Sequence, residues 1–169
     1  MTQDSFIAAL AELDAVIAKA TEADPIWRAL HILADSLVGA KLFTVMRIDW
    51  ANDVSGRAYT SDPENYPASG TKKINRTHWF EAIHKQRKPF VANTIADIAE
   101  VFPDHEKIWS LGCGSVINYP VIIADQMHGT VNLLHEEHYY MPERVSAAGL
   151  LALPAKAAFL AVRNLEARS

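Results

Sequence analysis

Asn118 and Asn132 are the residues that most need a partner, because each interrupts an otherwise apolar run. An amide left unpaired in a protein interior costs roughly 1–3 kcal/mol. Two arrangements would satisfy them: bonds to neighbouring protein groups, or a polar floor beneath a bound ligand. Cys113 is the single cysteine. An intramolecular disulfide is therefore impossible, and a thiolate-rich metal site is excluded. His135 and His138 stand three apart with Glu136 and Glu137 between them. A zinc-protease helix needs histidines four apart, so this pair reads as solvated polar residues at a strand end. His105 and His128 could approach a pocket, which leaves haem ligation open; a lone histidine is more often simply hydrogen-bonded in place.

A basic cluster adds a further chemistry. Lys72, Lys73, Arg76, Lys85, Arg87 and Lys88 surround only Glu81 in a chain of net charge -4. It is either a solvated face or a patch that steers an anion towards a pocket mouth. Arg76 lies one helical turn before Phe80, and an arginine can hold a carboxylate through two parallel hydrogen bonds. Trp79, Phe80, Phe102 and Trp109 supply flat walls, which suit a ring-bearing ligand; paired rings add about 0.5–1.5 kcal/mol beyond area burial. If the fold leaves an open pocket between them, with Ser115, Asn118 and Asn132 as polar contacts, these residues predict a small aromatic or cyclic carboxylate as its ligand. A neutral lipid or a metal fits them less well.

The elements that must position these residues centre on 112–136. Residues 115–123 and 127–135 are rich in β-branched and aromatic side chains, with the polar turn Ala124-Asp125-Gln126 between them. Apolar residues at nearly every position suggest neighbouring strands covered on both faces. Upstream, Phe6, Leu10, Leu13 and Ile17 make one face of a helix over 5–20, capped by Asp4 or Ser5. A second helix begins at Pro25 with Asp24 as cap and stops at Gly39. Strands follow at 41–50 and 54–60, then a loop over 61–70. The spacing predicts a helix over 77–87, with Asn75 or Thr77 as cap. A short strand at 90–92, helical turns near Asp97 and a helix over 104–111 come next. Pro142 opens a last helix to about Asn164, kinked at Pro154. This order predicts an α+β domain: an antiparallel sheet with helices on both faces.

Composition agrees with one domain. At 169 residues, half of them hydrophobic, the chain can bury a sizeable core. Acidity argues against nucleic acid as a partner. An acidic start and the lack of a run of about eighteen apolar residues predict no signal peptide, no membrane and a cytoplasmic location.

Residues 88–135, KPFVANTIADIAEVFPDHEKIWSLGCGSVINYPVIIADQMHGTVNLLH, resemble the second half of a GAF domain. The matching positions are Val91 and Asn93, Gly112, Ser115, Ile117, Tyr119-Pro120-Val121, and Gly129 with Val131 and Leu133. Element order extends the likeness over about 25–163, with 1–22 as a helix preceding the core. The resemblance implies a pocket between one sheet face and the helices over 77–87 and 104–111. Asn93 stands where many members place Asp, which weakens the carry-over of an acidic ligand contact. One enzymatic branch, the free methionine-R-sulfoxide reductases, uses several cysteines. Cys113 has no resolving partner and sits outside the catalytic positions. Nor is it followed by histidine, as bilin attachment of the phytochrome type would require.

The expectation is therefore a small-molecule-binding sensory domain with an unnamed cofactor or ligand. It would form a homodimer through 1–22 and the last helix, and with no output segment attached it would signal through a separate partner protein. The alternatives are an interaction module with a self-filled pocket, or a small redox enzyme.

Overall fold

The structure is a computed structural model, and it describes residues 3–68, 70–74, 76 and 78–168. The caps expected at Asn75 and Thr77 lie outside the described residues. Two helices come first, α1 (Gln3–Lys19) and α2 (Ala23–Val38). Asp4, Asp24 and Pro25 fall inside the first turns rather than at the caps, and Glu22 takes the extended cap position of α2. Gly39 closes α2 at φ 84°, its N–H donating to the Asp35 carbonyl at 3.0 Å. A side chain there would be strained and would strike Tyr139.

Among the described residues six strands form one fully antiparallel sheet: β1 (Leu42–Asp49), β2 (Val54–Thr60), β3 (Thr71–Lys73), β4 (Phe90–Ala92), β5 (Ser115–Ile123) and β6 (Gln126–His135). Their order is β3-β2-β1-β6-β5-β4. The expected pairing of β5 with β6 is present, from Ser115 opposite His135 to Ile123 opposite Gln126. Strand β3 was not foreseen; three exposed residues carry no hydrophobic period.

Strand alternation sends side chains to two different layers. On one face Phe43, Val45, Ile117, Val131 and Leu133 pack under α1, α2 and the last helices. On the other, Leu42, Ala92, Val116 and Leu134 pack with Ile98 and Ile108. The second layer contains α3 (His78–Phe80), α4 (Ile95–Ala99) and α5 (His105–Ser110). The helix expected over 77–87 is only partly regular. After Phe80 it widens into a π-helix, Glu81–Lys85, and Arg87 turns the chain at φ 55°.

The terminal helix divides into α6 (Pro142–Ala148), a 3-10 turn (Gly149–Leu151) and α7 (Ala152–Glu166). The irregularity precedes Pro154 because the missing N–H falls in the first turn of α7, where no partner is required. By length and composition Pro142–Glu166 could cross a membrane. In the fold its inner side, including Leu151, Ala155, Ala158 and Val162, is buried in the core. Helix α1 also packs within the chain, with Leu13 buried, while Ile7 and Leu10 stay exposed.

Candidate functional site

The second layer does not fill the space above the sheet. Two adjoining chambers remain, both on the face carrying Thr44, Asn118 and Asn132. The first, 160 Å³, has those three residues as its floor and Trp79, Ile98 and Phe102 over it. Arg57, Tyr66 and Asp104 complete its wall. The second, 280 Å³, lies over Met46, Ile48 and Thr130 and is enclosed by Ile74, Phe80 and Met127.

Strand register builds the polar floor. Asn118 faces Asn132 on β6, and Asn132 faces Thr44 on β1. A directional chain of hydrogen bonds follows. Trp79 Nε1 donates to Asn118 Oδ1 at 2.9 Å, Asn118 Nδ2 to Asn132 Oδ1 at 2.8 Å, and Asn132 Nδ2 to Thr44 Oγ1 at 3.0 Å. The chain satisfies the buried amides and fixes their orientation. Each amide nitrogen still has a second N–H to offer.

The charged wall comes from segments without a hydrophobic period. Arg57 stands on β2 opposite Met46. Its guanidinium lies over the Tyr66 ring at 3.8 Å and donates from Nη1 to the Pro67 carbonyl at 2.6 Å. Its Nε is buried and has no hydrogen-bond partner. The Tyr66 hydroxyl donates to Asp104 Oδ2. Burial, followed by the hydrogen bond and charge of Asp104, pushes the Tyr66 pKa far up, so this hydroxyl keeps its proton. The chamber thus offers one cation, one anion, fixed amides and aromatic walls.

Of the expected site residues, Trp79, Phe102, Asn118 and Asn132 meet at the first chamber, and Phe80 lines the second. The others lie elsewhere. Arg76 is turned away, paired with Asp53 at 2.6 Å. Asn93 pins a connecting segment, donating to the Tyr140 carbonyl and accepting from its N–H. His105 contacts the Phe102 carbonyl at 3.1 Å, outside either wall. Trp109 is 54% exposed. Ser115 is buried at the strand start, donating to the Glu136 carbonyl at 2.7 Å.

Half of the basic cluster is already partnered. Besides Arg76, Lys85 pairs with Glu81 and Arg87 with Asp125, whereas Lys72 and Lys73 border the second chamber. Cys113 is fully buried, and burial raises its thiol to about 11. It offers no thiolate near neutrality. Among the described residues, no three His, Cys, Asp or Glu side chains come together as a metal site.

Sequence reading did not find Arg57, Tyr66, Asp104 or Thr44. Thr44, a polar residue inside β1, carried the same signal as the asparagines. Arg57 and Tyr66 carried none, being on a weakly patterned strand and in a loop.

No family model and no curated protein matches the chain. Solved structures do. The GAF domain of a phosphoenolpyruvate-protein phosphotransferase from Coxiella burnetii superposes with a TM-score of 0.70 at 13% identity, covering 100% of both chains. A GAF domain/HD domain protein from Geobacter sulfurreducens gives 0.67 at 13% identity, over 88% of this chain and 97% of that one. Free methionine-R-sulfoxide reductase from Neisseria meningitidis, in complex with its substrate, gives 0.67 at 18% identity, over 97% and 95%. At these identities the likeness lies in the architecture: the chain has the fold of a GAF domain.

Proposed function

We propose that this domain is a sensor that binds a small organic acid in the first chamber, with the carboxylate received by Arg57. The observation that carries the reading is the buried, unpartnered Arg57 Nε beside a floor of oriented amides. A carboxylate would satisfy that N–H by a charge-assisted bond. Asp104 accepts from Tyr66 through one oxygen and leaves the other for a donor on the ligand. The ligand is therefore an acid that also bears a hydroxyl, and the aromatic walls suit a ring. The role expected of Arg76 passes to Arg57. Solved neighbours include domains of two-component sensor histidine kinases, which supports a sensory use of the fold. Thermal unfolding with benzoate, mandelate and lactate tests the site. Mandelate should raise the Tm of the wild type and of Arg76→Ala, and leave Arg57→Ala unmoved. An equal shift in Arg57→Ala would overturn the assignment.

Output runs through a second copy of the chain, in the cytoplasm, and from there to a separate partner. What supports pairing is the apolar groove between α1 and the 3-10 turn leading into α7, where Leu150 is 59% and Leu153 75% exposed beside Ile7 and Leu10.

A further inference from the structure

The two chambers share Met46, Trp79 and Phe102. One layer of side chains is all that divides them. Trp79 is held in that layer by its single hydrogen bond to Asn118 and an edge contact with Phe102 at 5.8 Å. Immediately after Phe80 the backbone opens into the π-helix, a local irregularity frequent at functional sites. Neither 160 nor 280 Å³ reaches the roughly 300 Å³ at which ligand pockets begin, but the two joined exceed it.

Their chemistry is complementary. The first chamber has the amides and the opposed charges of Arg57 and Asp104, while Lys72 and Lys73, on the exposed strand β3, border the second. The second has Ile48, Ile74, Phe80 and Met127 around a floor whose one buried hydroxyl, Thr130 at 1% exposure, has no hydrogen-bond partner. An acid small enough for the first chamber leaves the second with nothing to do.

Building on the reading of Arg57 above, we infer that the chambers are halves of one site for an α-hydroxy acid with a long apolar tail. Its carboxylate sits at Arg57 and its hydroxyl donates to Asp104. The tail passes Trp79, whose indole gives up Asn118, and fills the second chamber.

Calorimetric titration of the full chain with lactate, α-hydroxyhexanoate and α-hydroxyoctanoate tests this. Affinity should climb by about fourfold per buried methylene. Val101→Trp, which fills only the second chamber, should weaken α-hydroxyoctanoate by roughly tenfold or more and leave lactate unchanged; Val101 borders that chamber alone. Thr130→Val, which removes the unpartnered hydroxyl from the path of the tail, should strengthen α-hydroxyoctanoate and not lactate. Lactate binding with no gain on lengthening, or an equal effect of Val101→Trp on both acids, overturns the joined site and leaves Arg57 standing. Binding of none of the three acids ends both.

Discussion

Asn118 Nδ2 donates to Asn132 Oδ1 at 2.8 Å, between residues directly opposite on the two central strands. Both amides are buried, and each is also tied outward, to Trp79 and to Thr44. The pair therefore couples the floor of the chamber to its lid. Removing one member strands the facing amide as well as an outward partner, whereas removing both strands only the outward partners, Trp79 Nε1 and Thr44 Oγ1.

Asn132→Leu alone is accordingly expected to destabilise the fold by about 1–3 kcal/mol. Asn118→Leu/Asn132→Leu should cost less than the sum of the two single changes. Urea unfolding midpoints of the four proteins complete the cycle; strict additivity would show that the amides are not coupled.

Gly129 packs against the facing backbone. A Cβ there would lie 1.9 Å from the Met46 carbonyl oxygen and 2.9 Å from the Phe159 ring. Gly129→Ala must push β1 away from β6, at a cost of about 1–3 kcal/mol or more. A variant that unfolds at the wild-type urea concentration would contradict this packing.

Arg76→Ala should change stability by only about 0–1 kcal/mol, because its pair with Asp53 is roughly half-exposed. The same experiment in high salt should show a smaller difference still. A loss of ligand response on this substitution would return Arg76 to the site.

Cys113 gives stability a definite slope with pH. Its thiol titrates at about 11 when folded, against 9.0 for the ordinary group. Between those values the folded state holds the proton that the unfolded state has lost, so stability falls as pH rises through that window. Tyr66, Tyr140 and Tyr59 are raised as well and act in the same direction. The thiol's share is the difference between wild type and Cys113→Ala, which should lose part of the slope from pH 9 upward. Identical slopes would place the thiol in water. Ligand binding by Cys113→Ala should match the wild type.

If the proposed pairing through α1 and α7 holds, the wild type is expected to be a dimer by light scattering at micromolar concentration. Leu10→Glu/Leu153→Glu places charge on that face and should yield a folded monomer. A wild type already monomeric under those conditions removes the proposed route of output.

The amino-acid sequence by itself determined the central sheet. Runs of β-branched residues, a polar turn between them and Gly or Pro at their ends are local signals, and the strands at 42–49, 54–60, 90–92, 115–123 and 126–135 follow from them. It also marked Asn118 and Asn132, since an amide in an apolar strand needs a partner wherever that strand goes. What answered that need was settled only in three dimensions. Register set the two amides against each other and against Thr44, which lies 88 residues from Asn132 in sequence. Folding also brought Arg57 from the weakly patterned strand β2 and Tyr66 from a loop to one wall, and turned Arg76 away to Asp53. Periodicity reports which face of an element is buried; which distant side chains share a cavity depends on how the layers stack, and no local spacing encodes that.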